Sequence, residues 1–217
     1  DNKHNENSFV FFATASGMVK RVQLSQFKNL RSNGLRAVEL NDGDNLIGVA
    51  ITDGEQDIML FSNEGKAIRF NESKIRAMGR TAKGVRGMRV TLLANTGMDE
   101  EDIEVEEDHD DSNDSVVAVS RVVSLVVAPK QGEVLCACAR GFGKRTPVDE
   151  FAVKGRGGKG MIAIKTSERN GELVQALAVT PNDDIVLISD AGTLVRTPVS
   201  QIAQTGRDAQ EIGRAHV

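Results

Sequence analysis

The chain has 217 residues, 40% hydrophobic and 27% charged, which suits one large domain or two small ones with a substantial buried core. No stretch approaches the roughly 20 apolar residues of a membrane span, and the polar start Asp1–Ser8 is no signal peptide. A soluble cytoplasmic protein without a membrane partner is expected. The net charge of −4 argues against nucleic acid only as an average: 11 of the 31 acidic residues lie between Asp99 and Asp114, with no Lys or Arg among them. The remainder carries 27 basic against 20 acidic side chains. A basic body interrupted by one acidic segment is a different object from a uniformly acidic protein.

Four elements repeat along the chain, each hinged on a Gly with an Arg four residues later. The first has a β-rich run at Phe9–Ala15, the anchor Gly17 with Lys20 and Arg21 behind it, a short helical turn at Ser25–Phe27 and a basic loop at Arg31–Gly34. The second runs from Asp57–Ser62 through Gly65 and Arg69 to a turn at Glu72–Ile75 and a loop at Arg80–Gly84. The acidic stretch, taken as about 95–118, reads as an insertion, because it stretches one anchor spacing to 76 residues where the others are 48 and 51. The third repeat has Glu133–Ala139, Gly141, Arg145, a turn at Asp149–Phe151 and a loop at Arg156–Gly160. Two apolar runs follow it, Met161–Ile164 and Leu173–Val179, split by a turn at Arg169–Gly171. The fourth has Asp184–Ser189, Gly192, Arg196 and a turn at Ser200–Ile202.

Short β-rich runs bounded by Gly, Asn and Asp predict antiparallel hairpins. About four strands per 50 residues predicts propeller-type blades that bury their faces against neighbouring blades. With 8 Phe and no Trp or Tyr, aliphatic residues are expected to fill the core. Cys136 and Cys138, two apart in a predicted strand, should share one face and serve as small core residues.

The usual chemistries find little support. Gly155–Gly160 satisfies G-x-G-x-x-G, but it runs into the β-like Met161–Ile164 instead of opening a helix, so no dinucleotide site is expected. His4, His109 and His216 show no metal-ligand spacing and no convincing setting for a general base. No metal site and no catalytic residue is assigned.

The basic residues, by contrast, recur in register. The strand after each anchor supplies Lys20 and Arg21, Lys66 and Arg69, Lys144 and Arg145, and Arg196. The later loop supplies Arg31 and Arg36; Arg80, Lys83 and Arg86; Lys154, Arg156 and Lys159; and Arg207. Equivalent positions of a radial repeat share a radius, so these sixteen cations are expected to form a curved track for bent duplex DNA, bound through its phosphates.

Several segments resemble the C-terminal domain of the bacterial gyrase A subunit, notably Ile58–Lys66, Val85–Arg89, Gly143–Thr146 and Asp190–Thr197. Lys154–Gly160 matches the last five places of that family's Gln, Arg/Lys, Arg, Gly, Gly, Arg/Lys, Gly box and departs from it at Lys154 and Gly155. The resemblance implies an all-β pinwheel whose blades are four-stranded antiparallel sheets, here about four of them over residues 1–210, following a missing first blade. It implies wrapping of duplex DNA around a basic rim within DNA gyrase, at the chromosome. The intact complex would comprise two A and two B subunits, contacting one another through regions outside this chain, and would introduce negative supercoils with ATP and Mg2+ held by other domains. The family cuts DNA with a tyrosine, and this chain has none, so the segment alone is expected to have no enzymatic activity and no cofactor. Two alternatives stand beside this reading: the equivalent domain of topoisomerase IV, and a propeller-type protein-interaction scaffold. The ending Glu211–Val217 departs from the repeat pattern and is expected to be non-native sequence outside the last blade.

Overall fold

In a computed structural model the described residues are 8–29, 32–91, 119–209 and 213–214. Arg31, the acidic segment 95–118 and all but two residues of 211–217 lie outside them. In chain order the strands are β1 (Phe9–Thr14), β2 (Met18–Gln23), β3 (Leu46–Thr52), β4 (Asp57–Ser62), β5 (Lys66–Asn71), β6 (Val85–Arg86) and β7 (Val122–Val127). They continue as β8 (Glu133–Cys138), β9 (Phe142–Pro147), β10 (Met161–Ile162), β11 (Leu173–Val179), β12 (Asp184–Ile188), β13 (Leu194–Pro198) and β14 (Gly213–Arg214). Single 3-10 turns at Leu24–Phe27, Glu72–Lys74, Val148–Glu150 and Val199–Gln201 occupy the four predicted turn positions.

The four anchor glycines close the hairpins β1–β2, β4–β5, β8–β9 and β12–β13. Each anchor amide donates to a carbonyl three residues back, as Gly65 does to Ser62 at 2.9 Å, and each anchor has a positive φ of 75–82°. A bonded turn that ends on a left-handed residue is the pattern of a three-residue hairpin connection. Packing adds a second demand at two of them. The Gly65 carbonyl accepts from the amides of Ala163 and Ile164, so close that a Cβ on Gly65 would lie 2.1 Å from the Ile164 oxygen. Gly17 stands in the same relation to Met88, at 2.2 Å.

The sheets are not cut from contiguous repeats. The first has the order β3-β1-β2-β6, the second β7-β4-β5-β10 and the third β11-β8-β9-β14, all with antiparallel strand pairs. The outer strand of every four-stranded sheet therefore comes from beyond the next hairpin. β6 follows the second hairpin yet pairs with β2 of the first; β10 and β14 repeat the exchange one and two steps later. Gly213–Arg214 thus takes the same outer slot on β9 that Met161–Ile162 takes on β5, which differs from the expectation that the chain's end breaks the strand pattern. The fourth sheet, β12-β13, has two strands among the described residues.

The core forms between consecutive sheets. Phe11, Ala13 and Val19 of the first pack on Ile58, Leu60 and Phe70 of the second. Met59, Phe61 and Ala67 of the second pack with Val134, Cys136 and Cys138 of the third. Leu135 and Val179 of the third meet Ile185 and Val199 of the fourth repeat. Alternation along each strand sends one set of side chains to each neighbour, and both cysteines share the expected face. The aliphatic core has an aromatic share: Phe61 and Phe151 meet edge to face with centroids 6.1 Å apart.

Candidate nucleic-acid interface

The in-register cations separate into two sets. Those of the hairpin strand turn inward. Lys20 and Lys144 are buried, 1% and 0% exposed. Their ammonium groups donate to backbone carbonyls, Lys20 to Arg80 (2.5 Å) and Ala82 (3.0 Å), Lys144 to Gly206 (2.8 Å) and Arg207 (2.6 Å). Burial pushes both pKa values down from the usual lysine range. Neither presents a cation to solvent, which corrects the expectation that they belong to an outward-facing track.

The strand arginines are engaged as well. Arg69 pairs with Asp57 at 2.9 Å and donates to the carbonyls of Val148 and Phe151. Arg145 pairs with Glu133 at 2.7 Å and donates to the carbonyl of Ile202. Each carboxylate sits eight residues before the anchor, on the neighbouring strand, and the acceptor carbonyls lie in or just after the 3-10 turn of the following repeat. These guanidiniums therefore fasten one repeat to the next. The first repeat has Phe9 where the others have Asp57, Glu133 and Asp184. Arg21 stacks over that ring at 4.6 Å and faces the fully buried carboxylate of Glu72 at 3.8 Å. Arg196 pairs with Asp184 at an exposed site. Lys66 lies 3.4 Å from Glu64 beside a cleft also lined by Lys165 and Arg169. Lys165 repeats the position of Arg89, 24 residues after an anchor, a recurrence that the sequence reading overlooked, whereas Arg169 has no basic counterpart in the other repeats.

The loop cations behave otherwise. Arg80, Arg156 and Arg207 occupy one position, fifteen residues after successive anchors. Each guanidinium reaches one chain segment back: Arg80 to the carbonyl of Arg36 (3.2 Å), Arg156 to that of Arg86 (2.9 Å), Arg207 to that of Ile162 (3.1 Å). The loop backbones are also stitched to the preceding hairpin, through Met78 to Arg21, Lys154 to Arg69 and Thr205 to Arg145 at 2.8–3.0 Å. In the third repeat Gly157 donates to Gly87 and Gly158 accepts from Arg89, so the loop lies against β6. It leads into a strand, with no helix to hold a pyrophosphate. A continuous ladder of loops results, carrying Arg36, Arg80, Lys83, Arg86, Lys154, Arg156, Lys159 and Arg207. Arg36, Lys83, Lys154, Arg156 and Lys159 are exposed, whereas Arg80, Arg86 and Arg207 are half-buried. Arg31 lies outside the described residues.

Among the described residues no group of His, Cys, Asp and Glu could hold a metal ion, and no helix is long and apolar enough to cross a membrane. The loop ladder presents fixed positive charge on a backbone framework.

Known proteins agree with this architecture. The DNA gyrase A subunit of Haemophilus influenzae is 47% identical over 211 residues, 96% of this chain and 24% of the relative. Its Escherichia coli counterpart is 46% identical over 203 residues, 94% of this chain and 20% of the relative. The chain thus spans about a quarter or less of the length of the curated relatives it matches. The fold matches a solved gyrase A C-terminal domain with a TM-score of 0.76 at 23% identity, covering 99% of this chain and 63% of that one. It matches a topoisomerase IV C-terminal domain with the same TM-score and identity, covering 95% and 57%. The family model described as the DNA gyrase C-terminal domain, beta-propeller, matches residues 8–53, 56–102, 132–180 and 183–210, one stretch for each hairpin, and the chain belongs to that family.

Proposed function

We propose that this chain binds duplex DNA along its ladder of rim loops and serves as the wrapping element of a gyrase A protein. One observation carries the reading: exposed cations on successive loops stand on a hydrogen-bonded framework that steps from sheet to sheet. Such a surface neutralises phosphates at regular intervals and reads no base edges, which favours bent DNA of any sequence. The strand cations contribute indirectly, by fastening the repeats that set the curvature. The membership of the family supports the finer reading. In it, the segment acts at the chromosome in a cytoplasmic complex of two A and two B subunits, whose other domains supply ATP-driven supercoiling.

Fluorescence anisotropy with two duplexes of unrelated sequence, titrated over a salt series, tests the proposal. Equal affinities that fall steeply with salt are expected. Binding that is absent, or insensitive to salt, would leave the protein-interaction scaffold as the better reading.

A further inference from the structure

We propose that Lys20 and Lys144 are positioning residues that hold the rim loops of the second and fourth repeats from beneath. They set Arg80 and Arg207 for phosphate contact without touching DNA themselves. The proposal rests on the DNA-binding reading above.

The rim loops turn several carbonyl oxygens toward the body of the molecule. Unpaired, they would repel one another and lose their bonds to water. In two repeats the sequence supplies an ammonium at that spot, three residues after the anchor, on the strand of the preceding hairpin. Lys20 gathers the carbonyls of Arg80 and Ala82. Lys144 gathers those of Gly206 and Arg207, with Ala209 at 3.5 Å. Three N–H donors on one buried nitrogen suit such a cluster. Both lysines hold the carbonyl of the rim arginine itself, so they fix the backbone from which that guanidinium projects.

The third repeat's loop shows the alternative. Its floor is Ile68, the residue in the same slot of β5, buried at 2% exposure and without a polar head. There the carbonyl of Gly158 accepts from Arg89, and Gly157, at φ +84°, donates to Gly87. Gly157-Gly158 stands where the other two loops have Thr81-Ala82 and Asp208-Ala209. A Cβ at Gly158 would lie 3.7 Å from the Ile68 side chain. One loop geometry is thus held in two ways: by a glycine pair bonded to the adjacent chain over an apolar floor, and by a buried charge under loops that lack the pair.

The experiment uses the 217-residue chain with Lys144→Met, Arg207→Ala and the double variant. It reads amide hydrogen exchange together with the salt slope of binding to a linear duplex. The amides of Thr205 and Ala209 are bonded in the held loop, and that of Gly157 serves as internal control. In Lys144→Met, exchange at Thr205 and Ala209 should rise at least about tenfold while Gly157 stays unchanged. The salt slope should fall by about one, as for one lost phosphate contact. Arg207→Ala should lower the slope equally, and the double variant no further. Native exchange at both amides in Lys144→Met, or the parent's salt slope, would overturn the proposal. If Lys144→Met loses cooperative unfolding, Lys144→Gln, which keeps two N–H donors, should show a smaller rise at the same two amides, and parental exchange there overturns the idea equally. Should the parent chain bind no DNA, the DNA-binding reading fails on its own, while the exchange arm still decides whether Lys144 holds the loop.

Discussion

The arginines of the hairpin strands and those of the rim loops recur with equal regularity, yet the structure spends them differently. Arg69 and Arg145 are 15% and 12% exposed and fully committed to carboxylates and carbonyls. Arg156 stands exposed in a loop and donates to the carbonyl of Arg86. The difference arises because a strand side chain is delivered to a sheet face that the next repeat covers, whereas a rim loop has solvent on its far side. Periodicity establishes that positions are equivalent. Exposure depends on what the neighbouring repeat lays over them.

The sharpest way to break this contrast is to remove a strand arginine. Arg69→Ala or Arg145→Ala should cost about 3 kcal/mol of unfolding free energy, because each strands a mostly buried carboxylate and at least one carbonyl. Urea denaturation checks this, and a loss below about 1 kcal/mol would mean that these pairs do not fasten the repeats. Next in size, Arg156→Ala and Lys159→Ala together should weaken DNA binding by about tenfold per phosphate contact near 0.1 M salt, with similar losses for unrelated sequences. Their effect on stability should stay within about 0.5 kcal/mol; a larger loss would place them with the strand set. A third change sharpens the electrostatics of the loop set. Deleting residues 99–114 removes eleven carboxylates, and a bond from the Ser120 amide to the Thr91 carbonyl joins the flanks at 2.9 Å. Binding should tighten severalfold at low salt and converge with the parent's as screening grows. Equal affinities at low salt would make the segment electrostatically neutral toward DNA. The smallest effect belongs to Arg196→Ala. Its pair with Asp184 matches those of Arg69 and Arg145 in register but is exposed, so less than about 1 kcal/mol should be lost. A cost equal to that of Arg145→Ala would show that register, and not burial, sets the value of these pairs.

Much of the fold is legible in the chain itself. Gly17, Gly65, Gly141 and Gly192 mark the hairpins because a left-handed residue is required there, and the four 3-10 turns follow at a fixed distance. The cysteine pair is legible for the same reason of alternation; burial raises Cys136 to about 12 and Cys138 to about 11, so both thiols stay protonated at neutral pH. The destination of β6, β10 and β14 is not legible. Two-residue strands carry no periodicity, and nothing local to Val85-Arg86 names β2 as its partner. The candidate site divides along the same line. Arg36, Lys83, Lys154, Arg156 and Lys159 are exposed, as their polar loop setting suggests, while Lys20 and Lys144 look like any other strand lysine until the loop that covers them is located. A signal for the fastening arginines did exist: Asp57, Glu133 and Asp184 stand twelve residues before Arg69, Arg145 and Arg196, diagonally across a hairpin from them.

The exchanged outer strand bears on how such arrays change length. Each of the first three hairpins accepts a donor from beyond its successor, through the same slot each time. Joining residue 64 directly to Gly141 would remove one whole unit; β4 and β9 would then form the hairpin, β10 would fall to β2, and β14 would still meet β9. No edge opens, so gain or loss of a unit is nearly silent for the rest of the molecule. A deletion whose two ends differ in phase would instead orphan an edge. The exchange is thus a grammar for recombination, one that lets the track lengthen or shorten by whole steps while its ends stay the same.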